Sequence, residues 1–340
     1  MALFFRKSRP KGFESNPGDS SPTPPSQSVS RETGVTLPNG PRRAAFDRPE
    51  DDWRAGSDDE YGIAPETDGP PLALPRPASP RVFVVVNQKG GVGKTTTTVN
   101  IAAALAFGGL NVLVVDTDPQ GNASTALGVE HGPGTQGTYE VLLDDARISD
   151  LVQRSPHTPN LHVLPAAIDL ATAELELVNE SGRETRMKRA LADYIEASAV
   201  DYVFLDCPPS LGLLTLNALV AATEIMVPIQ CEYYALEGVS QLVRTINKVK
   251  GNLNNRLELT TVVLTMFDSR NNLSREVAGE VRKHFAYQTL DVEIPRSVRI
   301  AEAPSYGQTV LTYQPKSAGA VAYVKAAEQI ALAAVVDEEK

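Results

Sequence analysis

Cysteine and tryptophan are scarce in this chain of 340 residues, which contains two cysteines and one tryptophan. Two thiols do not make the disulfide framework of a small secreted protein, and they are too few for a cysteine-based metal site within one chain. Cys207 and Cys231 each lie at the end of a predicted strand. We therefore expect both thiols to be reduced and partly buried.

Long apolar stretches are missing as well. No run of about 18 apolar residues occurs, so the sequence predicts no transmembrane helix. At the amino terminus the apolar residues Leu3 to Phe5 precede the basic Arg6 and Lys7, whereas a secretory signal places its charge before a longer apolar core. These features predict a cytoplasmic protein.

Basic residues are outnumbered, and the formal net charge is −10. This acidity argues against a protein that coats nucleic acid passively. It does not exclude a local basic face, because exposed charges act over a Debye length of about 8–10 Å.

Residues 1–78 differ in composition from the rest of the chain. They contain more than half of the 25 prolines, many Ser, Gly and Asp residues, and no sustained periodicity. Such a sequence cannot bury enough apolar surface to offset its ordering entropy, so it predicts a disordered tail. An apolar and basic group at 3–11 and an acidic group at 47–61 are either solvated or docking motifs for a further protein partner or an anionic surface.

Residues 79–340 are predicted to form one domain in which strands and helices alternate. The predicted strands are 82–86, 112–115, 202–205, 225–229 and 261–264, and the predicted helices are 99–106, 183–197, 213–222, 236–250, 274–285 and 318–336. Continuous runs of Val, Ile and Leu between helices predict an α/β fold, with a mostly parallel sheet covered by helices on both faces. Such sheets bind ligands at the carboxyl ends of their strands.

A glycine-rich loop with Gly-Lys-Thr lies between the first predicted strand and the first helix, which is the context of a phosphate-binding P-loop. Its glycines let successive backbone N–H groups point at phosphate oxygens, and the helix adds its positive N-terminal end. Lys94 supplies charge to the β- and γ-phosphates, and Thr95 supplies a hydroxyl for Mg²⁺. The predicted nucleotide-binding residues are Lys89, Gly90, Gly91, Val92, Gly93, Lys94, Thr95 and Thr96.

This P-loop is a deviant Walker A sequence. Gln88 stands where the usual pattern has glycine, and a second lysine, Lys89, stands at the mouth of the loop, as in the ParA/MinD class of P-loop ATPases. A GTPase is disfavoured because the chain has no Asn-Lys-x-Asp guanine motif.

Three aspartates follow predicted strands. Asp116 and Asp118 come after the second strand, and Asp206 ends the strand 202–205 in the manner of a Walker B acid. Each of them alone could be a helix cap or a turn residue. Together with the P-loop they predict one site, because the carboxyl ends of parallel strands meet at one edge of the sheet.

Four stretches together resemble the chromosomal ParA/Soj partition ATPases, and the resemblance extends over about residues 80–335. These stretches are 87–127, 206–212, 228–238 and 294–305. The resemblance implies ATP and Mg²⁺ as ligands. It implies that Asp118 activates the hydrolytic water, that Thr95, Asp116 and Asp206 serve the metal, and that Lys94 contacts the phosphates.

The resemblance also implies partners. Lys89 would reach across an ATP-bound homodimer to the phosphates of the partner subunit. Arg270 and Arg299 would hold non-specific double-stranded DNA, which places the protein on the nucleoid. A ParB-like centromere-binding protein would stimulate an otherwise slow hydrolysis. From the residues alone, solvated surface charges are the favoured interpretation of both arginines.

Two alternatives come from other functional classes. A MinD-like membrane-surface ATPase that positions division would end in a basic amphipathic helix, whereas this chain ends with Asp337-Glu338-Glu339-Lys340, which opposes anionic lipid. A relative of the nitrogenase iron protein or of the amidoligases would bind a cluster only with suitably placed cysteines.

Overall fold

The computed structural model of the chain describes residues 73–233 and 235–336. Most of the predicted tail, residues 1–78, and the acidic end at 337–340 lie outside these ranges. Residues 73–78 are described, and they lie against the domain. The backbone N–H of Leu74 donates to the carbonyl oxygen of Gly108 at 3.0 Å, and the guanidinium of Arg76 contacts Asp201 and the carbonyl oxygen of Gly109.

Seven strands of the described residues form one sheet in the order β3-β4-β2-β5-β1-β6-β7. The strands are Arg81–Val85 (β1), Val112–Asp116 (β2), Gln153–Arg154 (β3), Leu161–Leu164 (β4), Tyr202–Asp206 (β5), Glu224–Gln230 (β6) and Glu258–Thr265 (β7). Every pairing is parallel except that of the short edge strand β3 with β4. The predicted parallel α/β sheet is confirmed.

Helices cover both faces of this sheet. They are Lys94–Phe107 (α1), Asn122–Ala126 (α2), Thr138–Leu143 (α3), Ile148–Leu151 (α4), Leu170–Glu176 (α5), Arg186–Ala197 (α6), Leu213–Ala221 (α7), Ala235–Asn252 (α8), Asn272–His284 (α9), Val298–Glu302 (α10), Val310–Tyr313 (α11) and Ala318–Val336 (α12). Within the described residues no helix is both long and apolar enough to cross a membrane.

Alternation along the central strands divides the core into two halves. In β1, Val82 and Val84 belong to one buried cluster, and Phe83 and Val85 belong to the other, because successive side chains of a strand point to opposite faces. Helices α6, α7 and α8 contribute to the first cluster, and α1 and α12 to the second. Both faces are apolar, so the strands contain continuous apolar runs.

An aromatic stack lies under α1 and α12. The rings of Phe83 and Phe204 are 5.3 Å apart between centroids, and Tyr202 lies 6.4 Å from each of them. The guanidinium of Arg81 lies 4.9 Å from the centre of the Phe83 ring and is held by the carboxylate of Glu224. This cation therefore packs against the stack at the amino end of the sheet.

Replacing Phe204 by alanine is expected to lower the free energy of unfolding by about 3–5 kcal/mol, because the change opens a cavity in the fully buried stack. Urea denaturation of the full chain measures this. Leu332→Ala, on the exposed side of α12, is the matched control and should change stability by less than about 0.5 kcal/mol. Equal losses in the two variants would contradict a core centred on the stack.

Candidate nucleotide-binding site

The sheet register brings the predicted site residues together. Strand β5 lies between β1 and β2, with Asp206 paired to Val85 on one side and to Asp116 on the other. The P-loop leaves the end of β1, and Asp118 follows the end of β2. The phosphate loop and all three predicted aspartates therefore meet at the carboxyl edge of three adjacent strands.

The turns of the P-loop depend on two glycines with positive φ. Gly91 has φ 72° and Gly93 has φ 88°, a left-handed backbone that glycine adopts without steric cost. A Cβ atom at Gly90 or Gly91 would meet no other atom within 4 Å, so the loop borders open space there. Thr265, the last residue of β7, braces the loop by donating its hydroxyl hydrogen to the carbonyl oxygen of Val92 at 2.8 Å.

Asn87 attaches the start of the loop to the neighbouring strand. Its side-chain amide donates to the carbonyl oxygen of Pro228 in β6 at 2.8 Å, and its side-chain oxygen accepts the backbone N–H of Lys89 at 3.1 Å. The mouth of the loop is thereby held beside the carboxyl end of β6.

Helix α1 presents its first residues to Asp206. The hydroxyl of Thr95 donates to Asp206 Oδ2 at 2.7 Å, and the hydroxyl of Thr98 donates to Oδ1 at 2.9 Å. Lys94 is buried beside the same carboxylate. Burial lowers the pKa of Lys94, and the nearby charges of Asp206 and Asp118 oppose that change.

Asp116 organises the loop that follows β2. Its Oδ2 accepts the backbone N–H of Ser124 at 2.9 Å and the Ser124 hydroxyl at 2.7 Å, and its Oδ1 accepts the backbone N–H of Asp118 at 3.2 Å. Asp118 in turn accepts the backbone N–H of Gln120 at 3.0 Å. Because protein donors occupy both oxygens of Asp116, its predicted service to the metal stays a prediction, and its observed contacts are those of a positioning residue.

Burial perturbs the two strand-end carboxyls. The pKa of Asp116 is raised to about 7 by burial and by the nearby Asp206, against the opposing hydrogen bonds from Ser124. The pKa of Asp206 is raised to about 6 by burial, against the hydrogen bonds from Thr95 and Thr98. Two adjacent buried carboxyls hold protons tightly when no cation offsets their charge.

The arrangement fits a magnesium nucleotide. Asp206 and Thr95 place a carboxylate oxygen and a hydroxyl oxygen side by side, and oxygen ligands are those that Mg²⁺ prefers. A divalent cation would lower the pKa of Asp206, because it offsets the charge that burial penalises. The glycine loop, the N-terminus of α1 and Lys94 supply the donors and the charge that phosphates need.

Lys89 and the two predicted DNA-binding arginines lie on the surface, each beside an acid. The Lys89 ammonium lies 3.6 Å from Glu232. Arg270 is 89% exposed and makes a bidentate contact with Asp268 at 3.0 and 3.1 Å. Arg299, on α10, contacts Glu302 at 3.0 Å.

Both cysteines are free thiols and are almost fully buried, more deeply than the sequence predicts. Burial raises the pKa of Cys231 to about 12 and also raises that of Cys207. Burial therefore favours the protonated thiol at both positions.

Several residues that support the site were missed by the sequence analysis. They are Asn87, Thr98, Ser124, Glu232 and Thr265. Thr98 could have been found, because it lies three residues after Thr95 and so on the same face of α1. Ser124 contacts Asp116 over eight residues of chain, whereas Asn87, Glu232 and Thr265 have partners 141 residues or more away, and nothing local to these three indicates them.

The raised pKa values predict how stability changes with pH when metal and nucleotide are removed. Aspartates of the unfolded chain titrate near about pH 4, so between about pH 4 and 7 the folded chain holds more protons. The free energy of unfolding contributed by Asp116 and Asp206 therefore falls as pH rises through this window, by at most about 1.4 kcal/mol per pH unit for each carboxyl.

Urea denaturation in a chelating buffer at about pH 5, 6 and 7 measures this slope. Asp116→Asn should make the slope shallower, whereas Asp193→Asn, at an exposed position of α6, should leave it unchanged. An unaltered slope in the Asp116 variant would show that this carboxyl does not carry the excess protons.

Comparisons with known proteins agree with this geometry. A family model described as an AAA domain matches residues 80–259. The sporulation initiation inhibitor protein Soj of Bacillus subtilis is 49% identical over 251 residues, which are 74% of this chain and 98% of Soj. The chromosome partitioning protein ParA of Caulobacter vibrioides is 48% identical over 250 residues, or 74% of this chain and 93% of ParA.

A crystal structure from Mycobacterium smegmatis is also similar. It is 41% identical in sequence, covers 74% of this chain and 93% of its own, and has a TM-score of 0.63. That protein is described as a cobyrinic acid a,c-diamide synthase with a bound ATP analogue and magnesium. The matches to Soj and ParA span nearly the whole of those proteins, and the chain belongs to the ParA/Soj family of P-loop ATPases.

Proposed function

We propose that this chain is an ATP-driven partition switch. It binds ATP with Mg²⁺, pairs with a second copy of itself, and holds non-specific double-stranded DNA in that state. A ParB-like centromere-binding protein stimulates hydrolysis, which returns the chain to a form that leaves DNA. The observation that carries this proposal is the convergence of the P-loop, Asp118 and Asp206 at one edge of the sheet, beside surface loops that bear arginines.

Phosphate binding rests on the loop and on the start of α1. Gly91 and Gly93 give the loop its left-handed turns, and the N-terminus of α1 directs unpaired N–H groups and its dipole toward an anion. Lys94 adds a buried positive charge at the first residue of that helix. These are the parts that bind the β- and γ-phosphates in P-loop enzymes.

The metal would be held by the oxygen pair at the end of β5. Thr95 and Asp206 are the proposed ligands, and Asp116 orients the neighbouring loop through Ser124. When bound, Mg²⁺ neutralises the charge that develops on the phosphates during transfer.

Asp118 is the proposed residue for activation of the hydrolytic water. It follows β2, which is separated from the P-loop strand β1 by β5 alone, and its carboxylate accepts the backbone N–H of Gln120. Phosphoryl transfer requires little covalent chemistry from the protein, so a carboxylate that orients a water in line with the γ-phosphate is sufficient.

Dimer formation and DNA binding would use the exposed cations. Lys89 stands at the mouth of the loop and is about half exposed, so it is accessible to the nucleotide of a second copy. Arg270 lies on the loop after β7 and Arg299 lies on α10, and a bridge between Phe267 and Pro295 joins the segments that precede them. A dimer doubles this set of cations, which suits phosphate contacts without reading of bases.

The two alternative functions are a membrane-surface ATPase and a cluster-binding relative of the nitrogenase iron protein. Cys207 and Cys231 are almost fully buried, which disfavours a cluster shared at a dimer interface, because its ligands would have to lie at the surface. The acidic segment that argues against a membrane-surface ATPase, residues 337–340, lies outside the described residues, so this alternative is left to experiment.

Binding to a random-sequence DNA duplex tests the proposal, with ATP, with ADP and without nucleotide, at two salt concentrations. Salt-sensitive binding that requires ATP is the expected result. Absence of binding in every state would contradict the proposal, and anionic vesicles would then test the membrane-surface alternative.

Asp118→Ala should lower ATP turnover by about 100-fold or more, because the water is no longer oriented, while leaving ATP affinity within about two-fold. The variant should therefore stay on DNA once ATP has bound. Steady-state phosphate release and DNA dissociation kinetics measure the two effects, with Asp193→Ala as an exposed control. Normal turnover in the Asp118 variant would exclude the proposed role.

Arg270→Ala should weaken DNA binding equally for all sequences, by about eight-fold at 0.1 M salt for each DNA phosphate that the arginine no longer neutralises. The salt slope should fall by about one for each such phosphate. Arg147 is the matched control, because it is also exposed and makes a bidentate contact with a nearby acid, Asp150. A loss confined to particular DNA sequences, or an equal loss in Arg147→Ala, would contradict phosphate binding by Arg270.

A further inference from the structure

Glu232 lies between Lys89 and the loop that carries Arg296, and none of the roles proposed above uses it. It follows the end of β6, two residues beyond Gln230. Its Oε2 lies 3.6 Å from the Lys89 ammonium, and its Oε1 lies 3.0 Å from Nη2 of Arg296. One carboxylate is thus shared by two cations that come from different loops.

The two contacts of Glu232 differ in how firmly their cations are held. The backbone N–H of Arg296 donates to the carbonyl oxygen of Phe267 at 3.1 Å, and the N–H of Phe267 donates to the carbonyl oxygen of Ile294 at 3.0 Å. These backbone bonds anchor the segment that carries Arg296, and its contact with Glu232 is the shorter of the two. Lys89 makes the longer contact, 3.6 Å against 3.0 Å, through a flexible four-carbon side chain, so it is the cation that leaves more easily.

We propose that Glu232 is a positioning residue that holds Lys89 away from phosphate until ATP and a second subunit compete for it. This inference rests on the proposed function, because it assumes that Lys89 acts on phosphates in the ATP-bound dimer. Arg296 tunes the contact: it keeps Glu232 in place and neutralises part of its charge, which weakens the hold on Lys89.

The strength of the contact suits a reversible latch. Exposed ion pairs contribute little to stability, about 0.2–1 kcal/mol, whereas a nucleotide presents several negative charges to one lysine. A contact of this strength breaks readily, but it lowers the fraction of chains in which Lys89 is free before ATP binds. Its removal should shift the dimerisation equilibrium about two- to five-fold.

The proposal predicts opposite effects for the two partners of the shared contact. Glu232→Gln frees Lys89 and should strengthen ATP-dependent dimerisation by about two- to five-fold. Arg296→Gln leaves Glu232 with Lys89 alone and should weaken dimerisation. In the Glu232→Gln background, Arg296→Gln should have little further effect, because it acts through Glu232.

Sedimentation velocity of the full chain with a non-hydrolysable ATP analogue, in the absence of DNA, measures these dimerisation constants. In the Lys89→Ala background both single effects should disappear. Arg282→Gln is the matched control, because Arg282 also pairs with a half-buried glutamate, Glu293, at 2.7 Å, and it should leave dimerisation unchanged.

The failures of the two proposals are distinguishable. A wild-type chain that does not dimerise with the analogue would overturn the proposed function itself. A wild-type chain that dimerises, with Glu232→Gln unchanged or weakened, would overturn only the role of Glu232. Changes of the same sign in the dimerisation constants of Glu232→Gln and Arg296→Gln would also overturn the role of Glu232. A simple structural ion pair between these residues would be broken equally by either substitution.

Discussion

The structure depends on a buried carboxylate at the centre of a parallel sheet. Asp206 lies between the P-loop strand and the strand of Asp116, and it is fully buried. A charge in that position must be offset by a cation or by strong donors. The groups that offset this charge, Thr95, Thr98 and Lys94, all lie in the first turns of α1. The need to offset the charge of Asp206 therefore also sets the direction of the helix and the path of the loop before it.

A large part of the fold could be predicted from the sequence, because the central strands are apolar on both faces and the long helices are periodic. The predicted helix 318–336 has the observed bounds of α12. Strands β3 and β4 and the short helices were not predicted. Strand β3 consists of Gln153 and Arg154, and β4 has only four residues, one of them histidine. Pairing of β4 with β2, and of β3 with β4, selects their conformation rather than local preference.

The candidate site was likewise predictable only in part. The P-loop and the strand-end acids could be predicted because each carries its chemistry within a few residues of a strand. The long-range contacts that support them could not: Asn87 bonds to Pro228 and Thr265 bonds to Val92 across 141 and 173 residues. Contacts of this kind are consequences of the strand order β5-β1-β6-β7, and the order is apparent only in the folded chain.

The contacts of Leu74 and Arg76 fix the position of the first described residues. Both residues lie against the end of α1 and the start of β5, which is the amino edge of the sheet. Helix α1 has 14 residues, and at about 1.5 Å per residue it separates this point from the phosphate loop by about 20 Å. Leu74 and Arg76 are thus fixed at the edge of the sheet opposite the phosphate loop.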